Sequence, residues 1–253
     1  MLAEYLIVGG AGVLAGGVNA IAGGGTLISF PALLAVGVPS VGANITSSVG
    51  LVTGYLGSTT GYRRELVGQG HRTRALAVVA VVGGVTGAVL LLLTPADSFS
   101  TIVPYLVLLS CALLAAQPRL ARWVAARRGR GDGAEEITVT VRVGVFAAAV
   151  YGSYFGAGLG VLLLGGLGIL VTDTLQRLNA LKSVLSFVVN IVGVVVFLVS
   201  EQVEWAFALI LLVTSYFGGV AGAQVGRRLS PLVLRGSVVA LGTVVAVILI
   251  AHG

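Results

Sequence analysis

NAIAGGGTLISFP, residues 19–31, sets three consecutive glycines inside a chain otherwise apolar enough to sit in lipid. Glycine is a poor helix former and leaves backbone polar groups uncovered, which in hydrocarbon costs several kcal/mol for each unsatisfied group. Such a run is either a surface for close helix packing or a true break. Segment length decides between them. Residues 3–37 offer about 35 positions and residues 143–171 about 29, whereas two full spans need roughly 40. Each segment is therefore predicted to enter and return as two short helices meeting at glycines, with Pro31 just beyond the first break.

Composition supports the membrane reading. Hydrophobic residues make up 57% of 253 positions, charged residues 9%, and mean hydropathy is +1.06. A soluble domain of this length would be left with a very large exposed apolar surface. Apolar runs lie at 5–22, 41–62, 75–94, 101–116, 143–171, 178–199, 205–225 and 233–251. Their Leu, Val, Ala and Gly content lacks period-two alternation, which selects helices over an outer-membrane barrel. The first run does not read as a cleavable signal, because Glu4 stands where a basic start is expected. Cys111 is the only cysteine, so one chain builds neither a disulfide nor a thiolate metal site. The net charge of +6 sits in short loops beside apolar runs, where it sets topology rather than binding nucleic acid.

Sliding the chain by 135 residues aligns Gly23 and Gly25 with Gly158 and Gly160, Asn44 with Asn179, and Ser48 with Ser183. It also aligns Gly83, Gly84 and Gly87 with Gly218, Gly219 and Gly222. The Asn and Ser coincidences, four residues apart in each half, argue for a duplication. Charge argues that the copies are inverted. The loop carrying Arg63, Arg64, His71, Arg72 and Arg74 is basic, whereas its counterpart at 201–204 has no basic residue. Residues 94–98 are acidic, whereas their counterpart holds Arg227, Arg228 and Arg235. The expected organisation is a first transmembrane repeat at 1–117, a basic cytoplasmic linker at 118–142 and a second repeat at 143–253, with both termini outside.

Broken helices at membrane depth line cavities, inverted-repeat transporters place them at the substrate, and helix N-termini favour anions. Polar side chains follow each break. Asn44, Thr46, Ser47 and Ser48 start one helix, and Asn179, Lys182 and Ser183 occupy the matching part of the other. Lys182 is the only lysine and aligns with Ser47. Two readings of it stand: charge compensation for a buried anion, or snorkelling to the cytoplasmic surface, where Asp173 and Arg177 are placed to pair. For Asn19, aligned with Tyr154, substrate contact and plain interhelical bonding are equally open. The GxxxG patterns at 83–87 and 218–222 read as helix packing. All nine carboxylates lie in loops or at segment ends, which disfavours a cation pump. No phosphate-binding loop or nucleophile elbow is present, so neither ATP hydrolysis nor a hydrolase is indicated.

The stretch AGGVNAIAGGGTLISFPALLAVGVPSVGANITSSVGLVTGYLGSTTGYRREL, residues 15–66, resembles the first repeat of the TauE/SafE sulfite exporter family. VEWAFALILLVTSYFGGVAGAQVGRRLSPLVLR, residues 203–235, is similar to the family's second half. FGAGLGVLLLGGLGIL, residues 155–170, departs from it by lacking three successive glycines and by carrying Gly165 and Gly166 where a proline is expected. The resemblance implies secondary export of sulfite, sulfoacetate or a similar small organic anion across the inner membrane. The expected fold is an all-α polytopic bundle of two inverted repeats, each opening with a broken or re-entrant hairpin. The expected site comprises Asn19, Gly23, Gly24, Gly25, Thr26, Asn44, Ser47, Ser48, Gly158, Gly160, Asn179, Lys182 and Ser183. No cofactor and no metal is called for. The partners are a small anion, the bilayer and a coupling ion such as H+, with room for a homo-oligomer. The alternatives are an anion channel of the same build and a non-transporting subunit of a larger complex.

Overall fold

A computed structural model of the chain describes residues 2–21, 23–126, 137–200, 202–225 and 231–252. These form α1 (Leu2–Ile21), α2 (Thr26–Ala35), α3 (Ser40–Gly61), α4 (Gly70–Leu93), α5 (Ala96–Ala126), α6 (Val139–Tyr154), α7 (Leu159–Leu170), α8 (Leu175–Phe197), α9 (Trp205–Val225) and α10 (Pro231–His252), with no strand among the described residues. Five of them, α1, α4, α5, α8 and α9, are long and apolar enough to cross a membrane. The chain is an all-α membrane bundle. Helices α8, α9 and α10 begin 135 residues after α3, α4 and α5, the offset at which the Asn and Ser positions coincide.

Both glycine segments interrupt their helices, at 23–25 and 155–158. One expectation needs correction, since α1 is a 20-residue helix and only α2, α6 and α7 are short. Its glycines do not break it because they face α9. A Cβ at Gly12 or Gly16 would run into Thr214 or the Ser215 carbonyl, so the backbones approach closely. The span expected as a basic linker, 118–142, begins and ends in helix. Helix α5 continues through Pro118 to Ala126 and α6 begins at Val139. Residues 127–136, Arg227 and Arg228 lie outside the described residues.

Close contacts fix the helix directions. Tyr5 stacks edge-on against Phe207 at 5.8 Å, and further along α1 Gly17 meets Gly222, so α1 and α9 run the same way. Helix α3 follows α9 as well, from the Glu204 N–H donating to Thr46 Oγ1 (3.0 Å) to Gly57 beside Val220. Since α9 starts where α8 ends, α3 and α8 run oppositely. On the other side, Gly83 lies on Ala149 and Gly87 on Val150, which sets α4 alongside α6 in the same direction. Each opening hairpin thus returns to the end at which it starts. Glu4, Asp97 and Glu204 gather at one end of the bundle, and Arg72, Arg142 and Arg177 at the other.

The GxxxG positions are packing surfaces, as expected. Gly87→Ala would drive a methyl group into the Val150 carbonyl, and overpacking of this kind costs about 1–3 kcal/mol. Gly166, with nothing within 4 Å, is the matched control, and Gly166→Ala should be neutral or stabilising by up to about 1 kcal/mol through helix propensity. Thermal unfolding of the two variants in detergent should separate them by several degrees. Equal melting would remove the close α4–α6 contact from the account.

Candidate substrate site at the crossing of two broken helices

Each break is shaped by glycines that an L side chain could not replace without strain. Gly23 (φ 79°) turns the chain out of α1, its N–H donating to the Val18 carbonyl at 3.0 Å. Gly158 (φ 81°), 135 residues on, is the left-handed N-cap of α7, preceded by Gly156 (φ 82°). The two breaks touch. A Cβ on Gly23 would lie 2.7 Å from the Gly160 Cα, and one on Gly160 would lie 2.8 Å from the Gly23 Cα. Phe30 and Phe155 close the flank, edge to face at 5.6 Å. The N-terminal ends of α2 and α7 therefore start beside one another, and the first N–H groups of a helix lack partners within it.

Lys182 lies against this crossing. It is 2% exposed, and its Cδ is 3.6 Å from the Cβ position of Gly160. Its side chain is buried in the bundle, so it does not run out along the surface as a snorkelling lysine would. Asn19 is also buried here, with Oδ1 accepting the Gly25 N–H at 2.7 Å and the amide nitrogen directed toward Tyr55. Thr26 sits beside Gly156 across the crossing.

The remaining expected residues do not all converge. Asn44 Nδ2 donates to the Tyr154 carbonyl (2.8 Å), satisfying the exposed end of α6, and Ser47 pairs with Ser29 (2.6 Å). Ser48 and Ser183 donate back to the carbonyls of Asn44 and Asn179, both at 2.9 Å. Asn44, Ser47 and Ser48 lie toward the acidic end of the bundle, whereas Asn179, Lys182 and Ser183 lie toward the basic end. Gly24 faces Leu114 of α5 rather than the crossing. Residues not singled out in the sequence also serve the site. Ser110 on α5 donates to the Ala157 carbonyl (2.9 Å) and pairs with Tyr151, holding the second break, and Ser58 pairs with Ser183 (3.2 Å). Tyr55 and Asn190 are 135 residues apart and both polar, a signal the sequence did carry.

The two ends differ in closure. At the basic end Arg72 Nη1 reaches Asp173 at 2.7 Å and Arg177 Nε reaches it at 3.0 Å. Arg177 also donates to the Val67 carbonyl, and Gln69 donates to the Arg177 carbonyl, both at 3.1 Å. Burial pushes the Asp173 carboxyl up, but the Thr174 N–H, Arg72 and Arg177 outweigh it and hold the carboxyl below its ordinary value. The acidic end instead has a cavity of about 580 Å³ lined by Val38, Gly42, Asp97, Gln202 and Glu204 among others. The expected Asp173–Arg177 pair is present, with Arg72 as a further partner supplied by the fold.

The family model described as Sulfite exporter TauE/SafE matches residues 8–249. No curated protein and no solved structure matches the chain. The match takes in α2 to α9 whole, most of α1 and α10, both glycine breaks and the buried lysine at their crossing: the chain belongs to the TauE/SafE sulfite exporter family, membrane transporters of sulfur anions.

Proposed function

We propose that this protein exports a small sulfur-containing or organic anion, such as sulfite or sulfoacetate, across the inner membrane by alternating access. The observation that carries the proposal is the contact of Gly23 with Gly160 beside Lys182, where two helix N-termini and one cation meet in a buried place. Each of these favours negative charge, and dehydrated surroundings strengthen them. The halves are read as an inverted pair on the strength of the opposed α3 and α8 directions, with the basic end in the cytoplasm and both termini outside. A negative-inside membrane would itself expel an anion, at about 2.3 kcal/mol per charge per 100 mV.

The closure at the two ends supports gating. Shifting by 135 residues maps Arg72, Asp173 and Arg177 onto Phe207, Val38 and Gly42, so the ionic clasp at one end corresponds to the open cavity at the other. We read this arrangement as a latch on the basic side, with the acidic-side cavity as the access that the latch opposes. Asp173→Asn should weaken the latch and lower stability at neutral pH by roughly 1–3 kcal/mol. The sign follows from the depressed carboxyl: its contribution is present above the ordinary carboxylate pKa, about 3.9, and is lost as pH falls through the lower folded value. Wild type and variant should therefore differ in chemical denaturation at pH 7 and converge in strong acid. A constant difference at all pH values would exclude the carboxylate as the latch.

A proteoliposome panel of sulfite, thiosulfate, sulfoacetate, sulfate and a carboxylate tests the transport reading. Saturable uptake of one or more supports it. Movement of a cation and of none of the anions overturns it.

A further inference from the structure

Beyond the crossing, α8 carries buried polar side chains at every fourth position: Lys182, then Ser186 at 1% exposure and Asn190 at 6%. This spacing places all three on one face. Helix α3, running the other way beside it, contributes Tyr55, one turn from the Ser58 that pairs with Ser183. One turn past Asn190, Gly193 leaves room for Ser153 of α6, whose Oγ is 2.8 Å from where a Cβ would stand. Among the described residues, Ser186 Oγ, Asn190 Oδ1 and Ser153 Oγ make no hydrogen bond within ordinary geometry, and Tyr55 Oη meets the Asn19 amide alone.

These orphans stand out because a simple alternative is open to them. Ser48, Ser183 and Ser110 all donate to the carbonyl four residues back, as a buried helical serine readily does. Ser186 and Ser153 do not, although water is excluded from both. A buried polar atom without a partner destabilises the fold, and several in one seam call for a function that keeps them. Asn44 ends the row toward the acidic side.

We infer that the α3–α8 seam is the translocation path, with Lys182, Ser186 and Tyr55, Asn190 and Ser153 as successive hydrogen-bonding stations for a small oxyanion. This rests on the anion reading above and adds the residues and the route. Successive stations on α8 are separated by about 6 Å. A hydrogen bond spans about 2.8 Å, so a solute the size of sulfite can engage the next station before leaving the last. The ladder suits compact oxyanions, whose oxygens accept from the Lys182 ammonium and from the Ser186, Tyr55 and Ser153 hydroxyls; at Asn190 the donor is Nδ2, since its unpartnered Oδ1 only accepts.

The test uses the full-length protein in proteoliposomes. Ser186→Ala and Asn190→Leu should each lower sulfite uptake by about tenfold or more, the loss of one hydrogen bond to a charged solute, without lowering the melting temperature, since each removes an orphan polar group. Undiminished uptake in either variant overturns the path. So does a fall in uptake matched by a fall in folded protein. A second measurement needs no transported solute. In a Cys111→Ala background, Ser186→Cys and Asn190→Cys should react with a small hydrophilic methanethiosulfonate. Val189→Cys, fully buried in the apolar cluster beside them, should not. Equal reactivity at all three positions overturns the inference. Labelling at 186 and 190 in a protein that moves no anion would retain the route and reject the anion reading instead.

Discussion

Lys182→Met should reduce saturable anion uptake by roughly one to two powers of ten while leaving the bundle folded. A hydrogen bond to a charged group contributes about 1.5–3 kcal/mol, and each 1.4 kcal/mol is a factor of ten in binding. Methionine fills nearly the same volume and lies as well against Gly160, so the core is preserved. Thermal unfolding of the variant in detergent separates a loss of fold from a loss of transport. Lys182→Arg is a demanding companion. The guanidinium keeps the charge, but its planar head is bulkier at a crossing where two glycine backbones nearly touch, and the variant should recover only part of the flux. Measured with sulfite in proteoliposomes, wild-type flux in the methionine variant would remove the lysine from the site.

Gly23→Ala should be strongly damaging, because backbone strain and a backbone clash fall on the same residue. The residue sits at φ 79°, where an L side chain costs about 1–2 kcal/mol. The added Cβ would also stand 2.7 Å from the Gly160 Cα, and backbone cannot swing aside as a side chain can, which adds about 1–3 kcal/mol of overpacking. Together the effects amount to roughly 2–5 kcal/mol, a large share of the stability of any domain. The neighbouring Gly24→Ala is the control. Its Cβ would meet only the flexible Leu114 side chain, at 3.5 Å, and its φ is not left-handed. Gly160→Ala shares the clash without the backbone strain and should fall between them. Chemical denaturation in detergent ranks the three, and equal stability of Gly23→Ala and Gly24→Ala would mean the breaks do not touch.

The breaks were legible because their signal is local. Three glycines in an apolar run, with too little chain for two spans, leave few alternatives, and both interruptions fall at the aligned glycines. The length of α1 was misjudged because a glycine that breaks a helix and one that seats a neighbouring helix look alike in sequence. Gly16 stays in regular helix against the Ser215 carbonyl, whereas Gly23 takes a left-handed φ against Gly160 in the first turn of α7. Asn19 and Asn44, singled out in the sequence as candidate substrate contacts, each give one amide atom to a backbone group freed by a break.

By itself the sequence determined that the chain is a helical membrane protein, where its helices are interrupted and which residue types lie near the interruptions. Those properties follow from segment length, hydropathy and glycine, which act along the chain. Only the tertiary structure decided that Lys182 turns inward, that Arg72 joins Asp173 and Arg177 across the basic end, and that Tyr55, Ser186 and Asn190 share a buried seam. A helix in lipid is apolar on every side. Its pattern therefore does not say which face meets protein, and that choice is made by the neighbouring helices, through the close approaches that glycine allows.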